Sequence, residues 1–189
     1  FAWVDDSGPH GMNTQLLTPD IDISSLSIPQ LSFFFSNHNE GYSNVEFSVD
    51  IYDGYNWNED VYYSNQNTPN GEWMPVNVYF TGLNIAPDSI IRIRFVVDES
   101  NSSDYYNDLA IDDVELKEAP ACPEPSNFHV ETVTGSEIIL AWIENGNSNS
   151  WNIIYGQSGF DPVTGGTSIN ANTNPFALTG LTELTDYDA

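Results

Sequence analysis

The sequence predicts an all-β chain of two successive β-sandwich units, and three observations carry that prediction. Apolar and polar residues alternate with period two, most cleanly where Val45, Phe47, Val49 and Ile51 interleave with Glu46, Ser48, Asp50 and Tyr52. Turn-forming pairs punctuate such stretches, as at Asp53-Gly54, Asn70-Gly71, Pro87-Asp88 and Asn145-Gly146, and no segment carries a helical stripe. A proline-containing linker, Glu118-Ala-Pro-Ala121, separates a first unit, residues 1–118, from a second, residues 119–189.

Taken in order, Phe1 to Gly11 holds Trp3, Asp5, Asp6 and the turn Gly8-Pro9, after which Leu16-Leu17-Thr18-Pro19 ends a short strand. Pro19 and Pro29 bracket an edge or connecting segment, since proline donates nothing to a sheet ladder. Leu31 to Ser36 is a compact apolar run and predicts a buried strand. The half-exposed strand at 45–52 follows, then Tyr55 and Trp57 after a turn, with Trp73 after a second turn. By pattern both tryptophans are expected in the core. Val76, Val78 and Phe80 make the next alternating strand; Ile91, Ile93, Phe95 and Val97 make another, with Arg92 and Arg94 on its opposite face in surface ion pairs. Residues 98–108 form a polar loop carrying Tyr105 and Tyr106.

The stretch Leu109-Ala-Ile-Asp-Asp-Val-Glu-Leu116 is the strand that closes the first sandwich. Its acidic pair, Asp112-Asp113, interrupts the alternation. Two adjacent carboxylates in a half-buried strand cost desolvation energy unless backbone N–H groups or a hard cation satisfy them.

Composition limits what the chain can do. Of its 189 residues, 28 are acidic and three are basic (Arg92, Arg94 and Lys117), a formal net charge of −25. That field repels nucleic acid, anionic membranes and anionic polymers, and it suits solubility in salty surroundings. No run of about 18 apolar residues is present, so no membrane insertion is expected. The chain opens without a signal-peptide pattern, and its true start is expected upstream. Catalytic signals are poor. His10, His38 and His129 have no metal-ligand spacing, no Gly-x-Ser-x-Gly elbow or phosphate loop occurs, and glycosidase-like carboxylate pairs arise by chance from so many acids. Residues 98–108 lack the central glycine and closing glutamate of an EF-hand loop, and Asn101-Ser-Ser103 matches a glycosylation sequon by pattern only.

Six short motifs nevertheless occur in a telling order: Leu17-Thr-Pro-Asp-Ile-Asp-Ile-Ser24, Leu31-Ser-Phe33, Asp53-Gly54 with Trp57, Trp73 ahead of Val76 and Val78, Ile93-Arg-Phe95, and Ala110-Ile-Asp-Asp-Val114. Across residues 1–118 they resemble the ordered signature of a MAM domain, of the bacterial secreted type that lacks disulfide cysteines. The resemblance implies a jelly-roll sandwich of two antiparallel sheets. After Cys122-Pro-Glu-Pro125, the strands around Phe128–Val133, Glu137–Trp142 and Trp151–Tyr155 resemble a fibronectin type III module. That resemblance implies Trp142 in the core and Tyr187 as the corner tyrosine. The second module is expected to be incomplete at its C-terminal end, and Cys122 to be half of a disulfide whose partner lies beyond this sequence.

Two sets of residues are candidates for binding. Calcium, in a structural role, would be held by Asp112 and Asp113 with Asp5, Asp6 or Glu46, because the first and last strands of such a sandwich lie side by side. The bland alternative is that Asp112 accepts backbone N–H bonds while Asp113 meets Arg92 or Arg94. Tyr52, Tyr55, Tyr62, Tyr63, Tyr105 and Tyr106 lie in or beside loops, where amphipathic rings can stack on sugars or anchor a protein. The expectation is therefore a non-catalytic region of a larger secreted or cell-surface bacterial protein. It would hold an attached hydrolase, a catalytic domain elsewhere in the chain, to a polysaccharide or glycoprotein surface. A protein–protein adhesion module is the alternative, and part of a peptidase or glycoside hydrolase catalytic unit the remote one.

Overall fold

The computed structural model describes residues 1–4, 13–39, 44–86, 89–99 and 108–189, and every regular element among them is a β-strand. The chain divides into two compact units, Phe1–Ala119 and Pro120–Ala189.

The first unit contains β1 (Ala2–Val4), β2 (Thr14–Leu17), β3 (Ile21–Asp22), β4 (Pro29–Asn37), β5 (Glu46–Tyr52), β6 (Trp57–Ser64), β7 (Met74–Tyr79), β8 (Ile90–Asp98) and β9 (Leu109–Glu118). One sheet has the order β1-β9-β4-β7 and the other β2-β8-β5-β6, with β3 also paired to β8 and all pairings antiparallel. Every connection except β2–β3 and β5–β6 passes from one sheet to the facing one, in the jelly-roll manner. β2 and β3 run along the same edge of β8 and are separated at Thr18-Pro19-Asp20. At the break, Thr18 and Ile93 exchange two bonds: the Thr18 N–H donates to the Ile93 carbonyl, and the Ile93 N–H donates to the Thr18 hydroxyl oxygen, both at 2.9 Å. An edge is where a proline costs no ladder bond.

The alternation of β5 and β8 sends Phe47, Val49, Ile51, Ile91, Ile93, Phe95 and Val97 inward, where they meet Leu31, Phe33 and Phe35 of β4 and Val76 and Val78 of β7. Phe33 stands edge-on to Phe47, Phe95 and Tyr62 at ring distances of 5.9, 5.5 and 5.6 Å. Geometry of this kind adds about 0.5–1.5 kcal/mol per pair beyond area burial. β4 departs from the fully buried strand expected of its composition. Phe33 and Phe35 point in, but Phe34 points out and stays 39% exposed.

β9 carries the irregularity that the acidic pair announced. Phe34 is opposite Asp112 and Ser32 is opposite Glu115, so Phe33 alone faces the two residues Asp113 and Val114. This is a β-bulge, with Asp113 at φ 49° in the left-handed region. Asp tolerates that conformation, and the Asp112 carboxylate accepts the Asp113 N–H at 2.9 Å. The extra residue resets the inside–outside parity. Leu109 and Ile111 face the core before the bulge; after it Leu116, opposite inward-facing Leu31, also packs against the core. The strand's far end is tied down by the Glu118 carboxylate, which accepts the N–H groups of Ser27 (2.6 Å) and Ile28 (3.1 Å).

The second unit contains β10 (Ser126–Val133), β11 (Glu137–Ile143), β12 (Trp151–Gln157), β13 (Thr167–Ala171), β14 (Phe176–Thr179) and β15 (Tyr187–Asp188). Sheets β10-β11-β14 and β13-β12-β15 share a core of Leu140, Trp142, Ile153, Ala171 and Leu178. Trp142 is thus in the core, and the Tyr187 hydroxyl oxygen accepts the Thr182 N–H at 3.2 Å, the contact a corner tyrosine makes. Glu144 organises the turn before β12: its carboxylate accepts the N–H groups of Gly146 (2.9 Å) and Ser148 (3.2 Å) and the indole N–H of Trp151 (2.7 Å). Cys122 is exposed and its thiol is free.

The bulge makes a stability prediction. Asp113→Gly, which removes the left-handed strain, should leave stability within about 0.5 kcal/mol of the parent or raise it. Asp113→Val should cost about 1–2 kcal/mol in chemical denaturation. Equal effects of the two changes would show that backbone conformation at this position is not what the strand requires.

Candidate functional site

The outer face of the β2-β8-β5-β6 sheet gathers most of the chain's positive charge and a row of its aromatic rings. Outward residues of β5 and β8 are paired rung by rung: Tyr52 with Arg92, Asp50 with Arg94, Ser48 with Val96, and Glu46 with Asp98. On the other side of β5, Trp57 sits opposite Tyr52 and Tyr63 opposite Ser48.

Each arginine supports a ring. The Arg92 guanidinium lies 4.6 Å from the Tyr52 ring centre, and that of Arg94 lies 4.2 Å from the Trp57 ring centre. The two rings are themselves 5.3 Å apart. The expected ion pairs hold the arginines: Arg92 pairs with Asp20 at 3.3 Å, and Arg94 with Asp50 and, at 3.5 Å, Glu59. Asp50 is only 3% exposed, although it belongs to the outward row. Its Oδ2 receives Arg94 through two nitrogens, Nε at 2.8 Å and Nη2 at 2.6 Å, charge-assisted contacts that converge on one oxygen. Its other oxygen accepts the N–H of Asp60 at 2.9 Å, a residue at φ 52° in an irregularity of β6. A buried carboxylate is thus satisfied from both sides and fixes the guanidinium on which Trp57 rests.

Tyr55 follows this row in the chain. It sits in the turn between β5 and β6 and is 88% exposed. The Asp53 carboxylate accepts the N–H groups of Asn56 (2.6 Å) and Tyr55 (2.8 Å), and these bonds hold its pKa below the ordinary value of 3.8. The Tyr52 hydroxyl donates to the Gly54 carbonyl at 2.9 Å, closing the same turn.

Of the tyrosines singled out from sequence, Tyr52 and Tyr63 therefore share one face and Tyr55 is exposed in the adjoining turn; Tyr63 is half exposed, with its phenol raised by partial burial and by the Glu46 carboxylate beside it. Tyr62 does not belong with them. It is one residue out of phase, opposite inward-facing Val49, and its ring packs on Phe33, Phe35 and Phe47; burial raises its pKa, opposed by a hydrogen bond with Ser64. Tyr105 and Tyr106 lie outside the described residues. Two tryptophan assignments also need correcting: Trp57 belongs to the outer face, and Trp73 is exposed, so neither is core. The alternation of β5 already places Tyr52 outward. What it could not reveal was the register that sets Trp57 beside it and the arginines beneath both.

The acidic set proposed for calcium is not brought together. Asp112 and Asp113 are on β9, Glu46 is in the opposite sheet beside Tyr63, and Asp5 and Asp6 lie outside the described residues. Asp112 is partly exposed and meets a backbone N–H, while Arg92 and Arg94 are engaged by Asp20, Asp50 and Glu59, not by Asp113. The pair was expected half-buried, to be satisfied by backbone N–H groups or a hard cation; the bulge turns Asp113, which strict alternation would send inward after Ile111, to the outer side where Asp112 already lies. Among the described residues no group of three or more His, Cys, Asp or Glu side chains could hold a metal ion.

No family model matches the chain, and no curated protein matches it. Among solved structures, the FN1-FN3 domains of chicken CNTN1 align over 77% of this chain and 49% of that one, at 13% identity and a TM-score of 0.30. The Endo-D glycoside hydrolase domain Spr0440 of Streptococcus pneumoniae R6 aligns over 98% of this chain and 27% of that one, at 12% identity and a TM-score of 0.31. The chain spans half or less of the length of each.

Two measurements check the site's construction. Arg94→Ala strands the buried Asp50 carboxylate and should cost about 3–5 kcal/mol in denaturant titration, and Arg94→Lys, which loses one of the two contacts to Oδ2 and the flat ring contact, about 1–3. A cost under about 0.5 kcal/mol for Arg94→Ala would refute the bridging role. The Asp53 turn has a defined pH response. Its folded pKa is depressed, so its support is complete above 3.8 and fades as pH falls through the lowered value. Amide-exchange protection at Tyr55 and Asn56 should persist down to pH 3.8, and Asp53→Ala should remove it at neutral pH. Loss of protection well above pH 3.8 in the parent would contradict the assignment.

Proposed function

We propose that this chain is a non-catalytic binding region of a larger secreted or surface bacterial protein, and that its first unit grips a neutral polysaccharide or glycoprotein glycan. The unit is a MAM-like jelly roll, and the second unit is a fibronectin-like spacer toward an attached hydrolase. The ordered motifs and the jelly-roll strand order support the first assignment; the Trp142 core and the Tyr187 corner contact support the second.

One observation carries the glycan reading: Tyr52, Trp57 and Tyr63 stand on one sheet face, the first two with Arg92 and Arg94 against their rings, and exposed Tyr55 sits in the adjoining turn whose backbone Asp53 holds. Pyranose rings expose patches of C–H that pack on aromatic surfaces, and flanking polar groups take their hydroxyls. Tyr63 and Tyr52 are anchored four residues apart along β5, about 13 Å, so the row can follow several sugars of an extended chain. Preset rings lose little conformational freedom on binding. Both arginines are neutralised by acids, so the face has no surplus charge for a sulfated or uronate chain, in keeping with the net charge of −25.

Affinity electrophoresis against a panel of neutral polysaccharides, followed by calorimetry on the best of them, tests the proposal. Tyr55→Ala and Trp57→Ala should each cost about 1–2 kcal/mol, roughly 5- to 30-fold in affinity, while Tyr62→Phe changes nothing. Absence of binding to every glycan, or binding indifferent to the Tyr55→Ala/Trp57→Ala double change, would overturn it. Retention of a protein partner sensitive to the same double change would favour the adhesion reading instead.

A further inference from the structure

The other sheet has an outer face of its own, and it is not flat. Between β9, β4 and β7 lies an open depression of about 630 Å³, lined by Ser32, Phe34, Pro75, Asn77, the bulge residues Asp113 and Val114, and the pair Glu115 and Lys117. Its floor is apolar: Phe34 is 39% exposed, Val114 is 44% exposed, and Pro75 sits directly opposite Phe34 in the ladder. Its rim is polar and partly committed. The Gln30 amide donates to the Asn77 side-chain carbonyl at 2.6 Å, which leaves the Asn77 amide N–H groups available to a ligand. Lys117 is clasped by Glu115, so its charge is spent within the rim. Asp113 has no ion-pair partner among the described residues, and its left-handed backbone carries its exposed carboxylate to the outer side.

We propose that this depression is a second saccharide site, separate from the aromatic row, and that it selects an amino sugar bearing a free ammonium group. Phe34 and Val114 receive the C–H face of the pyranose, Ser32 and Asn77 receive hydroxyls, and Asp113 receives the ammonium in a charge-assisted hydrogen bond. The charge argument selects the ligand. Two carboxylates and one ammonium line the depression, leaving one negative charge unbalanced, in a chain whose overall field of −25 attracts cations and repels anions. A neutral sugar would leave that carboxylate unused, and an acidic one would be opposed by it.

The inference takes its ligand class from the glycan reading but not its location, and the two can fail separately. The probe is a β-linked glucosamine oligomer, compared with its N-acetylated counterpart of equal length, by calorimetry under mildly acidic conditions that keep the amine protonated. The parent should bind the free-amine oligomer about tenfold more tightly than the acetylated one, the size of one charge-assisted bond. Asp113→Asn, which tolerates the same backbone conformation, should erase that preference. Glu131→Gln, which removes one exposed charge on the second unit, should leave it intact. Phe34→Ala should weaken both oligomers. Equal losses from Asp113→Asn and Glu131→Gln would reduce the effect to bulk charge and sink the proposal. So would an oligolysine of matched charge that binds as tightly and competes, which would make the occupant a basic peptide. If Trp57→Ala abolishes binding of both oligomers, the depression is not a site and the aromatic row alone binds sugar.

Discussion

One additional residue in β9 decides which side of the first sandwich is inside. A strand alternates strictly, so a segment that must put Leu109 and Ile111 into the core cannot also put Leu116 there without a shift of parity. The bulge at Asp113-Val114 provides the shift. Without it Leu116 would turn to water, and Glu115 would be driven toward Leu31 and the rings around Phe33, where an unpaired carboxylate is costly. The left-handed backbone at Asp113 costs little for an aspartate, and the neighbouring carboxylate satisfies its N–H. The same distortion has an outward consequence. Two consecutive side chains of β9 occupy the space opposite one buried residue of β4, which roughens that face into a depression.

Where local alternation decides orientation, the sequence was sufficient. The inward and outward rows of β5 and the inward rows of β7 and β8 could all be read from residue order. Where orientation depends on a partner strand, it was not. Tyr62 and Tyr63 are adjacent and chemically alike, yet register puts one against Phe33 and the other outside. Phe34 is hidden in an apolar run that composition alone would bury whole. Trp57 belongs to the outer face because it pairs with Tyr52 and lies on Arg94, and neither relation is written near it in the chain. The Asp112-Asp113 pair was legible as an anomaly but not as a bulge, because a carboxylate pair in a strand invites a cation and a local backbone distortion equally.

The use of charge is uneven. With three basic residues against 28 acidic ones, the chain places two of its cations on adjacent outward rungs of β8. Exposed ion pairs stabilise little, and Arg92 with Asp20 is of that kind. Arg94 with Asp50 is different, since the carboxylate is buried and accepts two guanidinium N–H groups and a backbone N–H as well. A buried pair is not in itself a gain over apolar packing, so its presence is better understood through geometry than through stability. It sets the plane of the guanidinium, and the guanidinium sets the plane of Trp57.

That chain of positioning bears on the kind of recognition the face can offer. Rings carried on mobile loops must be ordered by each ligand they meet, at a cost of about 0.5–1.5 kcal/mol per immobilised side chain. Here Tyr52 and Trp57 stand on paired strands and rest on arginines that are themselves held, and Tyr55 is borne by a turn that Asp53 closes. The Tyr52 and Trp57 rings and the Tyr55 backbone are therefore ordered before a ligand arrives. A weak contact such as a sugar stacked on a single ring loses most of its free energy if the ring must first be immobilised, so a shallow, open face can bind only if it is rigid. The buried Asp50 beneath that face meets this requirement: it spends a desolvated carboxylate on the position of a neighbour instead of on chemistry.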